Sequence, residues 1–347
     1  MNEAYRFALL PGDGIGPDVT AEAVKVLRAV ERGSGEVFEF TELSVGAGEY
    51  LRSGDPLPAE TFEQLRDFDA ILLGAMGMPD VRWPDGTEMT PQIDLREKLD
   101  LYCGLRPIRL YHEAHSPLKK FKAGEIDFLI LRENTEGLFF SRLNKPQPDA
   151  SEVRDTMRIS RERSERLFHS AFGQARKRRK HVTLVDKANV LPSMAFFRKT
   201  FDKVAEQYPD VQTARAYVDA ASLYLIQRPQ TFDVIVTENM FGDILSDLAA
   251  GLVGGMGMAP SADIGESYGV FQPSHGTAPD IAGKGIANPV ATILSAAMML
   301  EWVGLTDAAD CINRAVETVL AEGHLTADLG GAVSTTAMGD LIVSALQ

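Results

Sequence analysis

The residues with the clearest capacity for chemistry are acidic and cluster in residues 231–247, TFDVIVTENMFGDILSD. Asp233 to Thr237 is a short β-branched run of the kind buried in a parallel sheet, Gly242 lets the backbone turn, and Asp243 begins a helix. Asp243 and Asp247 then stand at i and i+4 on one helix face, about 5 to 6 Å apart. Two carboxylates so placed offer oxygen ligands to a hard divalent cation, with substrate and water completing its shell. They equally suit a solvated helix start, where negative charge is favoured. Asp219, in the upstream stretch AYVDAAS, offers a third carboxylate.

Cations precede this acidic cluster. The stretch DLREKLDLYCGLRP (94–107) places Arg96 on a helix and Arg106 in an extended segment set by Pro107, and IDFLILR (126–132) puts Arg132 at a strand end. Each alone suits a surface ion pair; the three together suggest clamps for a carboxylate-bearing anion. Lys187 ends the strand pattern VTLVDK. Exposure is the commoner fate of a lysine, but a neighbouring cation or burial lowers its pKa and makes it a proton acceptor.

The elements that must position these groups alternate between strand and helix. Tyr5 to Leu10 reads as a strand, PGDGIGP (11–17) as a loop and Asp18 to Val30 as a helix. Pro17 stands where a G-x-G-x-x-G fingerprint needs its third glycine, so the loop reads as a tight strand-to-helix connection. Strands at 38–43 and 70–77 flank a helix at 59–67, and a loop rich in Pro, Gly and Asp (78–92) follows, suited to a substrate lid. Residues 144–159 are polar and Pro-containing, as in a protruding arm. The helical pattern 164–175 ends in the basic run Arg176 to His181, which complements the carbonyl end of a helix better than it marks a nucleic-acid patch. A Gly- and Met-rich crossover (249–259) leads to PSHGTAPDIAGKGIAN (273–288), which lacks the P-loop pattern yet offers His275 and Asp280 to a sugar or phosphate, and then to a helix at 289–301.

With 347 residues and 45% hydrophobic content, the chain can bury a large core, divided between two lobes. A net charge of -14 argues against phosphate-backbone binding. The amino terminus runs straight into a strand without a signal-peptide pattern, and no apolar run is long enough for a membrane span, so a cytoplasmic location is expected. Cys103 and Cys311 lack metal or redox spacing and read as buried apolar thiols.

Taken in order, LPGDGIGP (10–17), LR (95–96) with LRP (105–107), RENTEG (132–137), DKAN (186–189), NMFGDILSD (239–247) and HGTAPDIAGKGIAN (275–288) resemble the β-decarboxylating dehydrogenases, the family of 3-isopropylmalate, isocitrate, homoisocitrate and tartrate/D-malate dehydrogenases. The resemblance covers nearly the whole chain. It implies an α/β, isopropylmalate dehydrogenase-like two-domain fold distinct from a standard Rossmann GxGxxG fold. A discontinuous large nucleotide-binding domain would comprise 1–99 and 252–347, and a central domain, 100–251, would carry the dimer interface and the arm.

The same resemblance implies NAD-dependent oxidative decarboxylation of a 3-substituted (R)-malate-type 2-hydroxy acid with Mg2+ or Mn2+. Arg96, Arg106 and Arg132 would hold the substrate carboxylates, and Thr90, Gln92 and Val190 would face the C3 substituent. Asp243 and Asp247 would bind the metal together with Asp219 from the other subunit of a homodimer. Lys187, also from across the dimer, would accept the hydroxyl proton. His275, Gly276, Asp280, Ile281, Asn288 and Asp328 would line the nucleotide site, where Asp280 accepts from a ribose 2′-hydroxyl and so favours NAD over NADP.

Isocitrate or tartrate/D-malate activity is the alternative, and a non-catalytic ligand-binding or regulatory relative the alternative of another class. Thr90 and Gln92 tilt towards a polar or small substituent, while Ile93 and Val190 could still form an apolar wall for an alkyl group. Two positions depart from the family. Phe139 stands where a tyrosine helps to protonate the enolate carbon, leaving that step to Ser141, water or another group; Gln272 replaces an acidic residue frequent before the His-Gly motif.

Overall fold

The first strand, β1 (Tyr5–Gly12), is apolar on both faces through its middle, as a central strand must be, and it enters α1 (Gly16–Ser34) through the Gly-rich loop. Pro17 sits in the first turn of α1, and Val19, Ala23, Val26, Leu27 and Val30 form the buried stripe of its helical period. Asp13 closes the loop: its carboxylate accepts from the amides of Ala47 (2.7 Å), Gly48 (2.8 Å) and Gly77 (2.8 Å), tying β1 to two neighbouring segments. The loop is thus a structural joint, as its departure from the dinucleotide fingerprint indicates.

A computed structural model describes residues 4–144 and 149–346. After α1 the chain forms β2 (Phe38–Glu42), α2 (Ala47–Ser53), α3 (Ala59–Leu65), β3 (Ala70–Ala75), α4 (Pro91–Lys98), β4 (Cys103–Arg109) and β5 (Asp127–Glu133). It continues through α5 (Arg161–Arg176), β6 (His181–Asp186), α6 (Pro192–Ala205), β7 (Gln212–Tyr217), α7 (Val218–Gln227), β8 (Val234–Thr237) and α8 (Asn239–Gly251). The hairpin of β9 (Pro260–Ile264) and β10 (Gly269–Pro273) follows, then α9 (Val290–Trp302), α10 (Thr306–Ala321) and α11 (Thr335–Ser344). Residues 145–148 of the expected arm lie outside the described residues; 151–156 are exposed.

The ten strands of the described residues join one sheet in the order β2-β1-β3-β10-β9-β4-β5-β8-β6-β7. Pairings are parallel in both wings and antiparallel from β10 through β9 and β4 to β5. Helices cover both faces. One core cluster joins Phe7 and Leu27 to Ile293, Ile312 and Ile342, so both chain ends build the first wing; another packs Phe168, Phe172, Phe197 and Phe201 beneath the second.

Two expectations are corrected. The helix that carries Asp243 begins at Asn239 and not after Gly242, because Glu238 caps it by accepting from the amide of Phe241 at 2.7 Å. Cys103 is buried, but Cys311 is only half-buried, its thiol directed at the Leu346 carbonyl. No helix of the described residues is long and apolar enough to cross a membrane.

The basic run closes the end of α5, and most of its cations are paired. Arg176 meets Asp210 at 2.6 Å, Lys180 lies 3.7 Å from the same residue, and Arg178 reaches Asp127 and the buried Asp233 (2.9 Å). That leaves little free charge for a phosphate backbone. Removing Arg178 takes from the buried Asp233 carboxylate its nearest cation, leaving the His181 amide (3.1 Å) and Arg179 at 3.9 Å. Arg178→Ala is expected to cost about 2 kcal/mol, moderated by the partial exposure of the arginine, whereas Lys177→Ala should stay within about 0.5 kcal/mol. Urea denaturation of the two variants checks this, and equal midpoints would sink the account.

Candidate active site

The register of the antiparallel stretch brings distant residues onto one sheet face. Arg132 pairs with Gly104, Gly104 pairs with Asp263, and Ser261 pairs with Gln272. Because side chains alternate along a strand, Arg106, Arg132, Asp263 and Gln272 all point to the same side. Gly104 provides room there: a Cβ at that position would lie 2.8 Å from the Asn134 amide. Arg96 arrives from α4, and Asp243 and Asp247 arrive from α8.

These residues enclose a cleft of about 190 Å3 lined by Gln92, Arg96, Arg106, Arg132, Asp243, Asp247, Gln272, His275 and Gly276, among others. The structure thus unites the three arginines with the aspartate pair. It also reveals a group that the sequence reading missed. Asp263, 1% exposed, accepts from Arg96 Nε (2.8 Å) and Gln272 Nε2 (2.7 Å) through Oδ2, and from Arg106 Nη2 (3.1 Å) and Asn134 Nδ2 (2.9 Å) through Oδ1. Despite full burial, Arg96 and Arg106 hold its carboxyl far below the usual carboxylate range. Its single cue in the sequence is an acidic residue inside an apolar strand.

Arg132 is held from behind by Asn239, whose Oδ1 accepts from Nε (3.0 Å) and Nη2 (2.8 Å), while Nη1 donates to Asp243. Asn239 in turn donates to the Glu136 carbonyl at 2.9 Å, so part of RENTEG supports the guanidinium. Burial and the neighbouring Arg96 push the Arg132 pKa down to about 10 in spite of Asp243. Gly242 is small because a Cβ would stand 2.7 Å from Arg132 Cγ. On the same helix, the Asp247 carboxyl lies above its ordinary range, first through partial withdrawal from water and then through the Asp243 charge. Like charges held together in this way favour a cation between them.

Phe139 lies beside the site, its ring 5.2 Å from the Arg132 guanidinium carbon. Ser141, the candidate substitute for the missing hydroxyl, is turned away: its Oγ accepts from the Thr156 amide (2.8 Å) and donates to the Thr156 carbonyl (3.2 Å). Gln92 presents a buried Oε1 that has no partner among the described residues. Thr90 heads α4 without lining the cleft.

His275 also borders a second groove, of about 380 Å3, with Ile15, Gly257, Ile281, Asn288 and Asp328. Its Nδ1 donates to the Gly276 carbonyl at 2.9 Å, its buried Nε2 has no partner among the described residues, and burial lowers its pKa. Asp328 accepts from Asn288 Nδ2 at 3.1 Å, and Asp280 is exposed beside Ile281. The groove thus has apolar walls and a few fixed polar groups, the composition of a small-molecule site.

Lys187, Asp219 and Val190 do not reach this cleft within one chain. Lys187 Nζ lies 2.6 Å from Asp219 Oδ1, and Val190 is 64% exposed. Asp186 fixes the turn that carries Lys187, accepting both guanidinium arms of Arg198 at 2.7 Å and the Ala188 amide at 2.9 Å. Among the described residues, no group of three or more His, Cys, Asp or Glu gathers as a metal site within the chain.

The family described as isocitrate/isopropylmalate dehydrogenase matches residues 6–342. The chain is 46% identical to 3-isopropylmalate dehydrogenase of Moorella thermoacetica over 356 residues, and 46% identical to that of Thermotoga maritima over 358; each alignment covers 99% of both proteins. Its structure is similar to that of isocitrate dehydrogenase from Methylococcus capsulatus (TM-score 0.90, 38% identity, 99% of both chains). It is also similar to the apo form of a beta-decarboxylating dehydrogenase from Thermococcus kodakarensis (TM-score 0.84, 38% identity, 99% of this chain and 96% of that one).

The contact between Gly242 and Arg132 gives a direct test of the site's construction. Gly242→Ala is expected to lower stability by about 1–3 kcal/mol through overpacking and to weaken dicarboxylate binding at the same time, because the residue displaced is Arg132. Thermal denaturation and titration calorimetry read the two effects, and destabilisation with unchanged binding would contradict this role for the glycine.

Proposed function

The chain belongs to the isocitrate/isopropylmalate dehydrogenase family and is an oxidoreductase of the decarboxylating type, and from that premise we propose that it oxidises and decarboxylates a 3-substituted (R)-malate, with 3-isopropylmalate as the first substrate to test. The observation that carries this reading is the meeting, in one cleft, of Arg96, Arg106 and Arg132 with Asp243 and Asp247, beside a groove that opens at His275. The unpartnered Gln92 Oε1 favours a hydroxyl-bearing C3 substituent, which makes tartrate, from the tartrate/D-malate alternative, the second reading. The retention of Lys187 together with Asp219, Asp243 and Asp247 argues for catalysis over a binding role alone.

The residues fit both implied groups. Asp243 and Asp247 supply hard oxygen ligands to Mg2+ or Mn2+, and the apolar groove with its free His275 Nε2, Ile281, Asn288 and Asp328 suits an adenosine moiety, with Asp280 at the margin for a 2′-hydroxyl. When bound, the cation supplies positive charge beside the substrate oxygens and NAD supplies the hydride acceptor.

The chain's own groups do the rest. The arginines bind and orient the two carboxylates, and Lys187 of a second copy takes the C2 hydroxyl proton. Phe139 brings no proton to the enolate carbon and Ser141 is committed elsewhere, so water is assigned that step. The outward placement of Lys187 and Asp219 supports a homodimer with shared sites. Asp219, Leu223 and Ile226 lie along one face of α7, with Leu223 50% and Ile226 46% exposed, and the adjoining helix α8 carries Ile244, 57% exposed; these apolar residues suit a second copy. The division into 1–99 with 252–347 and 100–251, and a cytoplasmic location, belong to the same reading.

With Mn2+, NAD and 3-isopropylmalate, NADH and CO2 are expected in equal amounts, and EDTA should abolish both. NADH without CO2 would remove the decarboxylation step; no NADH with any substituted malate would remove the oxidation. Lys187→Ala and Asp243→Asn are each expected to be inactive, yet unfolding and refolding them together should recover about a quarter of wild-type activity, since half of the dimers then hold one intact site. No recovery from folded mixed dimers would place Lys187 in its own chain's site.

A further inference from the structure

The four donors that converge on Asp263 come from four segments: Arg96 from α4, Arg106 from β4, Gln272 from β10, and Asn134 from the turn after β5. This carboxylate is fully engaged, so it offers nothing to a bound anion directly. Instead it fixes the nitrogens on the protein side of two guanidiniums. Arg106 is further pinned by Nη1, which donates to the carbonyls of Leu105 (3.1 Å) and Ala262 (3.3 Å). Among the described residues Arg96 makes its one ion pair here, through Nε, leaving its other nitrogens for a ligand. Guanidinium forks bind carboxylates tightly only in a fixed orientation, and two cations buried side by side repel unless an anion stands between them.

We propose that Asp263 is a positioning residue for the substrate: it sets Arg96 and Arg106 as a preformed receptor for a carboxylate, with Gln272 as the neutral partner that lets one carboxylate serve both arginines. The proposal rests on the dicarboxylate reading above for the nature of the ligand. Its chemistry is confined to orientation; no bond forms or breaks at Asp263.

The test uses full-length Asp263→Asn, Gln272→Glu and the double variant Asp263→Asn/Gln272→Glu, which returns a carboxylate to the other end of the 2.7 Å contact. The dissociation constant of 3-isopropylmalate with Mn2+ is measured calorimetrically without dinucleotide, and KM and kcat separately. Asp263→Asn is expected to weaken binding by about tenfold or more, with the loss in KM rather than kcat, and the double variant to recover most of it. NAD affinity should be the same in all. Gln272→Glu alone, with two carboxylates in contact, should bind less well than the double variant. If Asp263→Asn does not fold, recovery in the double variant against the Gln272→Glu variant carries the test.

Unchanged dicarboxylate affinity in folded Asp263→Asn, a loss confined to kcat, or a folded double variant no better than either single variant would overturn the proposal. The separate readouts keep the two readings apart. Wild-type protein that binds the dicarboxylate without oxidising it overturns the reaction and leaves the positioning role to be decided by the variants. Wild-type protein that binds no dicarboxylate overturns both.

Discussion

Three guanidiniums withdrawn from water on one sheet face are the constraint around which this molecule is built. A buried cation is tolerated only with fixed counter-charges and hydrogen-bond acceptors, and the fold supplies them from far along the chain. Asp263 answers Arg96 and Arg106, while Asn239 and Asp243 answer Arg132. Each counter-group sits on an element whose register or cap leaves little freedom. Glu238 sets the start of α8, and the antiparallel hairpin β9–β10 sets the height of Asp263 and Gln272. The cleft is therefore rigid on the protein side, the condition under which electrostatic recognition is strong.

Much of this was legible from residue types and short-range spacing. The arginines at 96, 106 and 132 and the aspartates at 243 and 247 share one cleft, and Pro17 identified the Gly-rich loop as a joint. What stayed hidden depends on contacts between distant residues. Nothing near Asp263 in sequence shows that Arg96 lies against it, since that contact is created by sheet register. Gly242 read as a turn because glycine so often serves that purpose, whereas here it lies inside a helix and is small for the sake of Arg132. Ser141 looked available as a hydroxyl until its commitment to Thr156 was visible.

The division between inward- and outward-facing chemistry is equally informative. The cleft groups are surrounded by their own chain, but Lys187 and Asp219 pair at the surface beside exposed Leu223 and Ile226. A charged pair flanked by apolar residues is poorly accounted for by the isolated chain. The same apolar face accounts for both if it is covered, which links assembly to the completion of the site.

The position of β10 in the sheet has a further consequence, for the order in which the molecule can form. β10 is inserted between β3 and β9, although more than three-quarters of the chain has been made before it appears. Until residues 269–273 leave the ribosome, the strand Ala70–Ala75 has an open edge, and the first wing lacks α9, α10 and α11, which fill its core. By contrast, β5, β6, β7 and β8 lie close together along the chain and can pair early. Synthesis from the amino terminus thus completes the second wing first and holds the opening residues as an unfinished, aggregation-exposed sheet until the carboxyl-terminal helices close it.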